Sequence, residues 1–172
     1  KPRRRGSDIC LVEFLLLPDG FLAADGFRAR AALGRRGMTA HKQEGDGATP
    51  RGVLPLLRVL YRADRLAPPR CAVPLEPIGP DDGWCDDPAD AAYNRPVKLP
   101  YPARHEELWR GDALYDVVGV LGWNVAPVVR GAGSAIFLHV ASGDYAPTAG
   151  CIALALPDLQ ACLAAGLTSI RV

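Results

Sequence analysis

Apolar positions come along this chain in short bursts, each closed by residues that favour turns. Residues 8 to 17 and 21 to 32 read as strands around Pro18-Asp19-Gly20 and Ala24-Asp25-Gly26. Proline presets the turn backbone and glycine tolerates reversed dihedrals, so such clusters end one strand and start the next. Gly45-Asp46-Gly47 supplies another turn, and residues 52 to 61 another strand. Residues 113 to 121 and Ala135 to His139 are strongly apolar and predict the most buried strands. One segment has a helical repeat. Leu159, Cys162 and Leu163 share a face, Pro157 suits a first helical position, Asp158 favours the positive end, and Gly166 supplies the stop. Leu167 to Val172 then forms a last short strand. Strands outnumber helices, which predicts a mainly β sandwich or barrel with one packed C-terminal helix.

Residues 67 to 102 fit neither period. This stretch is dense in Pro, Asp and Gly yet carries Trp84, Tyr93 and Tyr101, too aromatic for a plain linker. Long loops inside compact domains are usually functional or disordered, and an ordered binding loop is expected here. Trp84, Tyr93, Asn94 and Arg95 are its candidate substrate contacts. Aromatic faces stack on sugars or apolar peptide parts, and a guanidinium forks onto a carboxylate. The competing reading is a loop packed by its own aromatics. Residues 104 to 108 predict a helical turn.

Composition narrows the class. A chain of 172 residues, about half of them hydrophobic, supports one folded domain over residues 8 to 172 behind a basic tail of residues 1 to 7. Lys1, Arg3, Arg4 and Arg5 carry the positive balance. Without them 16 basic side chains face 19 acidic ones, a balance of −3. Nothing here resembles the basic face of a nucleic-acid-binding domain, so no such partner is expected. The five cysteines include no C-x-x-C pair, and Cys71, Cys85, His41 and His105 are scattered too widely for a zinc site. Neither metal nor cofactor is expected. A Cys71–Cys85 disulfide would require an oxidising compartment. No stretch approaches the roughly 20 apolar residues of a transmembrane helix. The run from Ile9 to Leu17 is broken by Glu13, so it reads as a strand rather than a signal peptide.

The chemistry concentrates near the C-terminus. Ala135-Ile136-Phe137-Leu138 ends in His139, and twelve residues on comes Thr148-Ala149-Gly150-Cys151. A strand delivering an imidazole and a loop delivering a thiol are what cysteine acyl transfer needs. The imidazole can take the thiol proton, and Gly150 lets the backbone approach a substrate carbonyl so that nearby amides hold the oxyanion. Thr148 either donates beside Cys151 or closes the loop. A buried structural cysteine beside a core histidine is the bland alternative.

The segments Gly133 to His139 and Ala146 to Ile152 resemble the signature of the YkuD-type L,D-transpeptidases of bacterial cell walls: a His, a spacer, then Ser/Thr-His-Gly-Cys. Lys42 to Gly52 is similar to that family's upstream Gly-x-x-x-Thr-Pro-x-Gly hairpin. The resemblance implies Cys151 as nucleophile, His139 as base, and a β-sandwich or barrel fold. It also implies peptidoglycan stem peptides as donor and acceptor, a cell-envelope location, and a monomer. Two positions depart from the pattern. The second motif His is Ala149, and the polar residue two places after the Cys is Ala153. Divergent branches of this family are associated with cross-links from L-alanine at stem position one to diaminopimelate, the 1,3 type. A hydrolytic L,D-carboxypeptidase or amidase, and a non-catalytic wall-binding module, are the alternatives. A catalytic Cys151 is expected to alkylate far faster than the other four cysteines.

Overall fold

The computed structural model describes residues 10 to 172; the basic tail and the first residues of the first predicted strand lie outside them. Fourteen strands and one helix follow in the order β1 Val12–Leu16, β2 Phe21–Ala24, β3 Phe27–Ala32, β4 Met38–Thr39, β5 Thr49–Pro50, β6 Val53–Tyr61, β7 Leu75–Pro77, β8 Asp82–Cys85, β9 Arg95–Lys98, β10 His105–Glu107, β11 Val117–Leu121, β12 Phe137–Val140, β13 Ile152–Leu154, α1 Leu156–Ala164 and β14 Leu167–Arg171.

Eight strands close on themselves in the order β11-β12-β13-β3-β2-β1-β14-β6, because β6 pairs with β14 through its first residues and with β11 through its last. Two contacts are parallel, β1 with β14 and β12 with β13, so the barrel is mixed. Closure removes exposed edges, which is how short strands become stable together. The architecture is therefore mainly β with one C-terminal helix. That helix begins within a residue of the predicted start, with Pro157 in its first turn, and it lays Leu159, Cys162 and Leu163 into the barrel core.

The period-two alternation of β11, β12 and β13 explains both the core and the site. Val117 and Leu121, Leu138 and Val140, and Ile152 and Leu154 face the barrel interior with Phe14, Leu22 and Leu54. Their alternates Val118, Val120, Phe137 and Cys151 form a second cluster with Trp84, Leu108 and Tyr115. Both faces of these strands are covered, hence their uninterrupted apolar sequence.

Two expectations need correction. Residues 67 to 102 are not irregular throughout. They hold β7, which extends β6, and β8 and β9, which with β10 make a small antiparallel sheet in the order β10-β8-β9. Strands of three or four residues carry too little alternation to be read locally, and their pairing partners lie far along the chain. Residues 104 to 108 form strand β10 rather than a helical turn, Glu106 opposing Trp84. A five-residue helix lacks the length to offset its nucleation cost, whereas β8 offers a ready edge.

Candidate active site

Cys151 is the last residue before β13, and His139 sits on the neighbouring parallel strand β12. Alternation turns His139 to the same side as Phe137, away from the barrel core. Both groups are buried, Cys151 to 8% exposure and His139 to 7%, and both line one cavity of about 250 Å³. The thiol donates to the Ala135 carbonyl oxygen at 3.2 Å and accepts from the Phe137 N–H at 3.4 Å. Ala135 holds a left-handed backbone, φ 51°, that aims this carbonyl at the sulfur. Such a backbone costs a non-glycine residue about 1–2 kcal/mol, so the surroundings must impose it.

Asn94 imposes it. Also left-handed, at φ 56°, it is buried beneath the lead-in to β12. Its Oδ1 accepts from Ala135 N–H and Trp84 Nε1–H, both at 3.0 Å, and its Nδ2 donates to the carbonyls of Trp123 and Asn124. Trp84 stands edge-on to Phe137 at 5.2 Å. Tyr93 is buried too; its hydroxyl donates to Glu44 and accepts from Gly133 N–H. Trp84, Tyr93 and Asn94 thus support the site from behind. Arg95, exposed on β9, borders a different cavity of about 370 Å³ with Arg58, Trp84 and Val120, which shares no lining residue with the one at Cys151. Asn94 lines that second cavity too, so three of the four candidates of the predicted binding loop gather on it, apart from the cavity at the thiol.

The loop before Cys151 is closed by Thr148. Its hydroxyl donates to the Cys151 carbonyl at 2.7 Å and accepts from Gly150 N–H at 3.1 Å. Thr148 also meets Gly34 across a parallel bridge. Gly150 has φ 145°, and a Cβ there would lie 2.9 Å from the Ala48 carbonyl oxygen and 3.3 Å from Lys42 Nζ. The turn at residues 45 to 50 therefore packs directly behind the loop before Cys151, and only glycine fits between them. Lys42, which also points there, is paired with Asp46.

Burial dominates the electrostatics. It pushes the Cys151 thiol up to about 12, with the nearby Glu106 charge adding to it and Phe137 N–H and Lys42 opposing. Burial, reinforced by Arg110, holds His139 below its ordinary value, although the carbonyls of Val140 and Leu114 pull the other way. At neutral pH the site is a neutral thiol beside a neutral imidazole, not an ion pair. His139 Nδ1 lies 2.9 Å from the Val140 carbonyl oxygen, which assigns the ring proton to Nδ1 and the lone pair to Nε2. Among the described residues no aspartate hydrogen-bonds the ring: Asp116 pairs with Arg65, and Asp144 takes Ser142 and the Ala146 N–H.

This changes the alkylation expectation. Cys10 is exposed and Cys151 is buried as a thiol, so Cys10 should react first at neutral pH. Reaction at Cys151 should accelerate only as pH rises towards 12, since the thiolate is the nucleophile. Mass mapping of a time course with iodoacetamide checks the order.

A family model of the L,D-transpeptidase catalytic domain matches residues 21–165. The chain belongs to the YkuD family. No curated protein and no solved structure matches the chain. Membership in the YkuD family implies peptidoglycan as the substrate and a cell-wall setting. Among the described residues no helix is long and apolar enough to cross a membrane. The YkuD hairpin pattern at residues 42 to 52 is the turn behind Gly150. Thr49 within it is fully buried, and its Oγ1 accepts from Gly34 N–H at 3.0 Å.

Sequence reasoning missed Glu106 and Tyr115. Tyr115 stands edge-on to His139 at 5.3 Å, and its hydroxyl donates to Glu106 Oε2. Glu106 and Cys151 both border the 250 Å³ cavity and a smaller one of about 100 Å³ on the other side. No local signal marked Glu106, because only pairing of β10 with β8 carries it to the thiol.

Proposed function

We propose that this chain is a peptidoglycan L,D-transpeptidase that cross-links stem peptides through a thioester on Cys151, with His139 as general base. The placement of the Cys151 thiol and the His139 imidazole on one cavity carries this reading. Sγ attacks the carbonyl carbon between an L- and a D-residue while Nε2 takes the thiol proton. The tetrahedral intermediate collapses, the C–N bond breaks, and the departing amine of the D-portion receives that proton from the imidazolium. An amine from a second stem then attacks the thioester, the C–S bond breaks, and Cys151 recovers its proton through His139. Because the Gly150 N–H is engaged by Thr148, we assign the oxyanion to the Cys151 N–H. Thr148 is a loop-closing residue in this scheme.

The 1,3 cross-link, from L-alanine to diaminopimelate, is the product we assign, since Ala149 widens the donor side relative to the family pattern. Incubation with purified wall fragments followed by product mass analysis tests the reading. A dimer joined through an L-residue supports it. Shortened monomers alone would make the protein a carboxypeptidase, and unchanged fragments would leave a wall-binding module.

Arg95 is outside this reading. Arg95→Ala is expected to leave the rate of thioester formation within about twofold of the parent, as surface changes away from a site usually do. A tenfold loss in a donor-saturation assay would return the residue to substrate binding.

A further inference from the structure

Two cavities flank the thiol, and Glu106, Ala149 and Cys151 border both. The position where the family pattern has its second His is therefore a methyl group, and a carboxylate from β10 stands across from it. The neighbouring charges are already matched. Lys42 pairs with Asp46, Arg104 with Glu44 and Asp86, and Arg110 with Asp112. Glu106 alone of these carboxylates has no ion pair among the described residues; Tyr115 donates to its Oε2. A half-buried carboxylate beside a reactive centre, held by one hydroxyl and lacking a cation, is a place for a cation to arrive.

We propose that Glu106 is the acceptor residue of the transfer step, binding the incoming stem-peptide ammonium and taking the proton it must lose. This rests on the acyl-transfer reading above. An ammonium has no lone pair and cannot attack a thioester. One proton passes from nitrogen to the Glu106 carboxylate, the freed lone pair forms the C–N bond, and the C–S bond breaks. The second proton leaves the nitrogen through His139 to Sγ, and Glu106 gives its proton to water as product leaves. Burial raises Glu106 above the ordinary carboxylate range, with Asp86 and Glu44 adding to it and Tyr115 and Arg110 opposing, which suits a proton acceptor. The proposal also accounts for Ala149: the polar group missing from the nucleophile loop is supplied by another strand.

Partition of the thioester tests it. The protein is acylated with a soluble stem peptide, then offered an alkylamine acceptor or hydroxylamine, which is largely unprotonated at neutral pH. Glu106→Gln keeps an oxygen for the Tyr115 hydroxyl. It should form the thioester no more slowly than the parent, since the charge that helps hold the Cys151 thiol up is gone, and pass it to hydroxylamine readily. Its alkylamine-to-water ratio should fall about 100-fold, the usual scale for a lost general base. An unchanged ratio overturns the proposal. So does an equal loss for both nucleophiles with slower acylation, which would make Glu106 a support for the site's packing. On the parent protein, a quaternary ammonium analogue of the acceptor should inhibit transfer but not thioester formation. Absence of that inhibition also overturns it. If the parent forms no thioester, the acyl-transfer reading itself falls, a result distinct from all of these.

Discussion

Cys151→Ala is expected to abolish both the thioester and the cross-linked product, with turnover falling by a factor on the order of 10⁴ or more. The cavity's other candidate nucleophiles are engaged: His139 has its Nδ1–H committed to Val140, the Ser142 and Thr148 hydroxyls donate to Asp144 and the Cys151 carbonyl, and Tyr115 is held by burial well above the ordinary phenol range. The fold should survive, because Cys151 contributes a small side chain at the edge of the second cluster. Cys162→Ala is the paired control. That thiol is fully buried on the apolar face of α1, so its loss should cost about 1–2 kcal/mol of stability and leave the chemistry intact. Intact-mass detection of the acyl adduct together with a thermal melt separates the two. Near-normal turnover in Cys151→Ala would remove the nucleophile proposed here.

Asn94→Ala should be the most damaging change away from the reacting atoms. The Asn94 amide meets two N–H donors and two carbonyls in a buried setting. Truncation leaves Trp84 Nε1–H and Ala135 N–H without acceptors, each costing about 1–3 kcal/mol. A loss of about 3–5 kcal/mol follows, or roughly 10 °C in Tm for a chain of this size. The effect should reach the chemistry as well, since the Ala135 carbonyl that accepts from the Cys151 thiol belongs to the residue Asn94 holds. Urea unfolding and the acylation rate of the folded fraction are the two readouts. A loss below about 1 kcal/mol would show that water or relaxation satisfies the freed groups.

These two residues mark the boundary of what was legible. Cys151 and His139 stood out because they lie close in sequence, one ending an apolar run and the other following a glycine. To reach one cavity they need only two adjacent strands, and the period of β12 already implied which face the imidazole takes. Asn94 was singled out in the sequence for the company it keeps. Its neighbours Trp84, Tyr93 and Arg95 had the composition of a binding loop, and composition does not say whether an aromatic is stacked on a ligand or on the core. In the fold Trp84, Tyr93 and Asn94 are buried, and Trp84 and Asn94 line with Arg95 a cavity separate from the one at the thiol.

Local sequence determined the features that depend on near neighbours. Turn residues ended strands where proline and glycine set the backbone, the i, i+3, i+4 face of Leu159, Cys162 and Leu163 made a helix, and the spacing of His139 and Cys151 set an imidazole and a thiol on adjacent strands lining one cavity. Tertiary structure decided everything that depends on distant partners. Closure of the barrel through β6 and β11, the small sheet made of segments with no readable period, and the arrival of Glu106 beside Cys151 all come from pairing between strands far apart in the chain. The protonation of the site belongs to the same class. A cysteine and a histidine in a loop and strand can be an ion pair or a neutral pair, and burial by β12, β13 and the Trp84–Tyr115 layer makes these neutral, because removing water penalises the charged forms of both.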